Sequence, residues 1–82
     1  YRALVLHCDR FGNVVTNTPP RALPRLRSVN GRPVRPVRTY EDGQDGELIA
    51  LIGSSGRLEL AVRQASAAER LGVRPMDTLL LT

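Results

Sequence analysis

Five of the six prolines in this 82-residue chain fall between Pro19 and Pro36, and that spacing limits the fold more than any other feature. Proline fixes φ and donates no backbone hydrogen bond, so this stretch is predicted to hold no long helix and no central strand. Pro33 and Pro36 confine any strand there to a sheet edge or a bulge. Within the stretch, Ser28-Val29-Asn30-Gly31-Arg32 places Asn-Gly between residues able to pair, which is the signature of a type I′ hairpin.

The flanking segments are short and apolar. Residues 2–8 read as a strand, residues 9–13 as a polar turn, and residues 14–16 as a second strand that Asn17-Thr18-Pro19-Pro20 ends. Residues 40–46 form an acidic, glycine-containing loop. Residues 47–52 read as a buried strand and Gly53-Ser54-Ser55-Gly56 as a turn. Residues 57–63 then alternate with period two, Leu58, Leu60 and Val62 sharing one face. Ser66, with Glu69 three residues on and Gly72 beyond, marks the ends of one short helix. Residues 77–81 supply a last strand. Short strands joined by polar turns predict one all-β domain over residues 1–82, a small antiparallel β-barrel with one short helix.

Composition excludes several classes. One cysteine forms no internal disulfide, and one cysteine with one histidine falls short of a zinc site. The longest apolar run is five residues, against the ~20 that span a bilayer. A soluble, cytoplasmic domain with no membrane partner is therefore expected. The chain has twelve arginines, no lysine and a net charge of +4. Residues 1–40 hold eight arginines and one acid, a balance of +7, and residues 41–82 hold four arginines and seven acids, a balance of −3. A basic half suits a polyanion, but an arginine-only set also reads as compositional bias, so nucleic acid is not the favoured partner.

Few residues suggest chemistry. His7 and Cys8 are strand neighbours expected on opposite faces, which fits a packed histidine and a core cysteine better than a catalytic dyad. The Ser54-Ser55 turn lacks the nucleophile-elbow and phosphate-loop patterns. It does offer hydroxyls and free N–H groups able to hold a carboxylate. Asp9, Phe11 and Asn13 share one side of an extended turn, and together they suit a cation, a planar ring and a donor-acceptor edge. Ordinary turn chemistry uses the same residue types.

The series Asp9-Arg10-Phe11-Gly12-Asn13-Val14-Val15-Thr16-Asn17, Tyr40-x-Asp42, Gly46-Glu47, Gly53-Ser54-Ser55-Gly56-x-Leu58-Glu59-Leu60-Ala61-Val62, Ser66-Ala67-Ala68 and Leu71-Gly72 resembles the C-terminal domain of the S-adenosylmethionine hydroxide adenosyltransferases. These are relatives of the bacterial fluorinase and chlorinase. The resemblance implies a two-domain enzyme in which a larger N-terminal α/β domain, not contained in this chain, activates water. It also implies a homotrimer, with S-adenosylmethionine lying between that domain of one subunit and the C-terminal domain of its neighbour. The reaction it implies is attack at C5′, giving adenosine and L-methionine, with S-adenosylmethionine as substrate and no separate cofactor.

Carried onto this chain, the resemblance implies that Asp9 meets the methionine ammonium, Asn13 reads the adenine edge and Tyr40 covers the adenine plane. Ser54 and Ser55 match the turn holding the methionine carboxylate, Phe11 a pocket wall, and the backbone at Gln64-Ala65 a contact to the adenine amino group. No catalytic residue is assigned to this chain. Halogenating relatives carry arginine at the place of Ser55, so serine there implies the hydroxide branch. The competing class is a small basic β-barrel that binds nucleic acid or a protein without catalysis.

Overall fold

The computed structural model describes all 82 residues, Tyr1–Thr82. In chain order the elements are β1 (Arg2–Cys8), β2 (Val14–Thr16), a 3-10 helix (Pro20–Arg25), β3 (Ser28–Val29), β4 (Arg32–Pro33) and β5 (Arg35–Pro36). A second 3-10 helix (Tyr40–Asp42), β6 (Leu48–Ile52), β7 (Leu58–Val62), α1 (Ala67–Leu71) and β8 (Thr78–Leu80) complete the chain. Six strands form one curled sheet in the order β5-β6-β7-β2-β1-β8, and β3 and β4 form a separate hairpin.

The mostly-β reading holds, but two of its details are corrected. The sheet is mixed: β5 and β6 run parallel, Arg35 opposite Ile49 and Pro36 opposite Ala50. The chain leaves β5, passes through the Tyr40–Asp42 helix and re-enters in the same direction, a crossover that parallel pairing requires. The barrel is also not closed, because the edge strands β5 and β8 do not pair with each other. The β3–β4 hairpin lies against the β8 edge: Val29 bridges Leu81, and the Asn30 N–H donates to the Leu80 carbonyl at 2.8 Å. Pro36 in β5 lacks the N–H group that a continuous ladder between those edges would use.

Local signals behave as their chemistry dictates. Asn30 and Gly31 both adopt positive φ, 50° and 79°, and Val29 pairs with Arg32 across them. Ser66 Oγ accepts the Glu69 N–H at 3.1 Å and starts α1. The proline-rich stretch carries more order than its composition suggests, since Pro20 suits the first turn of the 3-10 helix that follows. The acidic loop is likewise ordered at its start, where Asp42 Oδ2 accepts the Thr39 N–H at 3.1 Å.

Leu58, Leu60 and Val62 of β7 are fully buried with Val5, Val14 and Leu79, as the alternation predicts. The opposite face of β7 is covered at Ala61 by Ile49 and Val37, with Tyr40 packed alongside. It is left open at Glu59, which is only partly buried. That uncovered position is where a cleft forms.

One ion pair fixes the parallel crossover. Arg35 donates through Nε and Nη2 to Glu47 at 2.7 and 2.8 Å, and Glu47 also accepts the Gln44 N–H at 2.9 Å. The Arg35 hydrogen bond, followed by the Gln44 amide, holds the Glu47 carboxyl down at about 2, against the usual 4.5. A depressed carboxyl stabilises the fold above its unfolded value and loses that contribution as pH falls. Thermal melts should therefore separate the native chain from Glu47→Gln by a constant margin above pH 4.5, a margin that closes as pH falls to about 2. A margin independent of pH across that window would remove the ion pair from the account.

Candidate functional site

The cleft is built on a row of cross-strand neighbours. His7 pairs with Val15, Val15 with Glu59, and Glu59 with Leu51; directly opposed residues share a sheet face. His7 joins this outer row because the β1–β2 register shifts between Val5 and His7. The irregularity leaves Leu6 and His7 both exposed and lets Cys8 pack against the core. The expectation of a packed histidine is thereby corrected: a strand irregularity breaks the simple alternation and turns His7 outward. The expected core cysteine is only half-buried, packed at the margin of the core, and burial, aided by Asp9 and Asp77, pushes its thiol above the ordinary range. A thiol so disposed is a poor nucleophile.

Around this floor lies an open depression of about 370 Å³ lined by Leu6, His7, Asp9, Val15, Ser54, Ser55, Arg57 and Glu59. Two turns form its rim. In the first, Asp9 Oδ1 accepts the N–H groups of Phe11 at 2.9 Å and Asn13 at 3.0 Å, and Oδ2 accepts Asn13 Nδ2 at 3.2 Å. Asp9 is thus a turn former, and Oδ2 keeps acceptor capacity beyond its one donor. In the second turn, the Gly56 N–H donates to the Gly53 carbonyl at 3.0 Å, while the N–H groups of Ser54 and Ser55 have no partner within the chain. Two adjacent free amides are a receptor for a carboxylate.

The remaining candidates lie outside this depression. Gly12 adopts φ +84°, and a Cβ there would collide with Ser66; its carbonyl accepts the Ala68 N–H at 2.8 Å. The Asp9–Asn13 turn is thereby seated on the start of α1, directly beside Gln64 and Ala65. Tyr40 Oη accepts the Gln64 N–H at 2.7 Å, which ties the Tyr40 ring to that same turn. Ala65 is exposed, and its own N–H donates to the Val62 carbonyl at 3.1 Å. Phe11 projects from the turn, 68% exposed, with the Arg10 guanidinium 5.3 Å from its ring centre. No group of three His, Cys, Asp or Glu side chains is placed to hold a metal ion.

The structure therefore brings Asp9, Ser54 and Ser55 together on one depression, holds Asn13 outside its lining through hydrogen bonds to Asp9, places Tyr40 and Ala65 as a second group joined to that turn through Gly12 and Ser66, and leaves Phe11 at the tip. Sequence reasoning missed Glu59, His7 and Arg57 as cleft residues. Only the strand register reveals the first two, and no local pattern encodes that register.

The fold defines a small, mostly-β domain with two polar turns beside one open depression. The family model for the SAM hydroxide adenosyltransferase C-terminal domain matches residues 3–80, and the chain belongs to that family. It is 40% identical over 70 residues to an (R)-S-adenosyl-L-methionine hydrolase of Thermus thermophilus, a match covering 85% of this chain and 28% of the relative. It is 38% identical to the Salinispora tropica protein of the same name, covering 100% of this chain and 33% of the relative. The chain thus spans about a third of the curated relatives it matches. A crystal structure of an uncharacterized conserved protein from Thermotoga maritima superposes with a TM-score of 0.87 at 28% identity, covering 99% of this chain and 35% of that one. A conserved hypothetical protein from Thermus thermophilus superposes with a TM-score of 0.76 at 34% identity, covering 99% of this chain and 34% of that one.

Proposed function

We propose that this chain is the substrate-binding C-terminal domain of an enzyme that hydrolyses S-adenosylmethionine to adenosine and L-methionine, and that it is inactive alone. The observation that carries the reading is the pairing, on one cleft, of the free Ser54 and Ser55 amides with the Asp9 carboxylate. Amides suit the carboxylate of the methionine end and Asp9 its ammonium, a charge-assisted contact. Asn13, Phe11, Tyr40 and the Gln64-Ala65 backbone then serve the adenosine end. Membership of the family, and the name its relatives carry, support the same substrate.

The domain's contribution is geometric. Holding the sulfonium and C5′ in line with a water converts a bimolecular attack into an effectively unimolecular one. The α/β domain, supplied by a neighbouring subunit of a cytoplasmic homotrimer, activates that water. Serine at position 55 favours hydroxide over halide as the nucleophile.

Calorimetry on the full-length protein tests this directly. Binding of S-adenosylmethionine and of adenosine is expected, with adenosine and L-methionine released on incubation. Neither ligand binding, together with a steeply salt-dependent affinity for RNA or DNA, would replace it with the polyanion reading.

A further inference from the structure

Glu59 is the one partly buried carboxylate of the cleft that takes no hydrogen bond or ion pair within the chain. Its carboxylate lies against Gly53, where a Cβ would overlap it, so the acid is tucked beneath the serine turn. The chain's ion pairs are Arg35 with Glu47 and Arg63 with Asp45; Arg57 lines the same cleft without pairing to Glu59. No hydrogen bond to the Glu59 carboxylate is formed either, and burial first, then the nearby Asp9 charge, push it above the usual carboxylate range, with His7 opposing. A partly buried carboxylate beside a second carboxylate, with no donor of its own, is poised for a cation from outside.

We infer that Glu59 is a specificity-determining residue that, with Asp9, reads the α-ammonium of the substrate, so that the cleft accepts the amino-acid end only as a zwitterion. The inference rests on the S-adenosylmethionine reading and deepens it. The geometry is that of an amino-acid receptor: two unpartnered amides at Ser54 and Ser55 for the carboxylate, and two acids at Asp9 and Glu59 for the ammonium, all on one depression. Asp9 already spends its Oδ1 on two backbone N–H groups, whereas both Glu59 oxygens are uncommitted.

The test measures three ligands on the full-length protein and on Glu59→Gln: S-adenosylmethionine, its analogue lacking the α-amino group, and adenosine. The amide preserves the shape beneath Gly53 and removes the charge. Loss of a charged contact predicts about tenfold weaker binding of S-adenosylmethionine, with adenosine and the deaminated analogue within about twofold of the native protein. An equal loss for all three ligands means a purely structural role and overturns the inference, as does no loss at all. If Glu59→Gln fails to fold, Asp9→Asn carries the test, since it leaves Glu59 as the cleft's one carboxylate: a preference for S-adenosylmethionine over the deaminated analogue must persist there, and its complete loss overturns the inference. If the native protein binds adenosine but gains nothing from the methionine end, the inference fails while a nucleoside site survives. If it binds neither, the underlying reading fails too.

Discussion

Gly12→Ala is expected to cost about 2 to 5 kcal/mol of stability and to abolish ligand binding at the cleft. Two effects add at this position. An alanine at φ +84° pays about 1 to 2 kcal/mol for a left-handed conformation. Its Cβ would also fall 2.7 Å from Ser66 Cα, a contact with backbone that no rotamer change relieves, and overpacking of this kind costs about 1 to 3 kcal/mol. A chain of this size is expected near the low end of about 5 to 15 kcal/mol in total. Thermal unfolding followed by circular dichroism should therefore drop by at least about 10 °C. Gly31→Ala is the control: its φ is +79° but nothing lies within 4 Å, so only the backbone penalty applies. Equal melting temperatures for the two variants would show that the seat of the turn on α1 contributes nothing.

That seat explains why the site is only partly readable from the chain. Asn30-Gly31 and the Ser66 cap are local chemistry, each set by residues within a few positions, and both form as the sequence indicates. The Asp9-x-Phe11-x-Asn13 turn is local in the same sense, since its hydrogen bonds close within five residues. The parallel β5–β6 pair is another matter. It depends on which distant edge the proline-interrupted segment meets, and Arg35 and Ile49 carry no pattern that names each other as partners. His7 and Glu59 reach the cleft through register across three strands and one irregularity. In the sequence His7 looks like a core residue and Glu59 like the solvent side of an amphipathic strand. Tyr40 is a candidate through family likeness alone; its bond to the Gln64 N–H is a tertiary contact.

Asp9 combines both kinds of information, and two substitutions separate them. Asp9→Ala removes the acceptor of the Phe11 and Asn13 N–H groups and the charge facing the cleft. It should lower the melting temperature and also weaken S-adenosylmethionine binding by about 2 to 4 kcal/mol, combining a lost charged contact with a slackened turn. Asp9→Asn retains an oxygen at the Oδ1 position, so the two backbone donors stay satisfied, but it removes the charge and sets an amide against Asn13 Nδ2. Its melting temperature should stay within a few degrees of the native protein, while affinity for S-adenosylmethionine falls by about 1.5 to 3 kcal/mol and affinity for adenosine changes little. Calorimetry and thermal melts on the same full-length variants read both quantities. If Asp9→Asn binds S-adenosylmethionine as tightly as the native protein, Asp9 is a turn former only, and the ammonium contact passes to Glu59 alone. If the asparagine variant loses stability and affinity in proportion, its weakened binding follows from the slackened turn, and the carboxylate's charge has no separate share in holding the substrate.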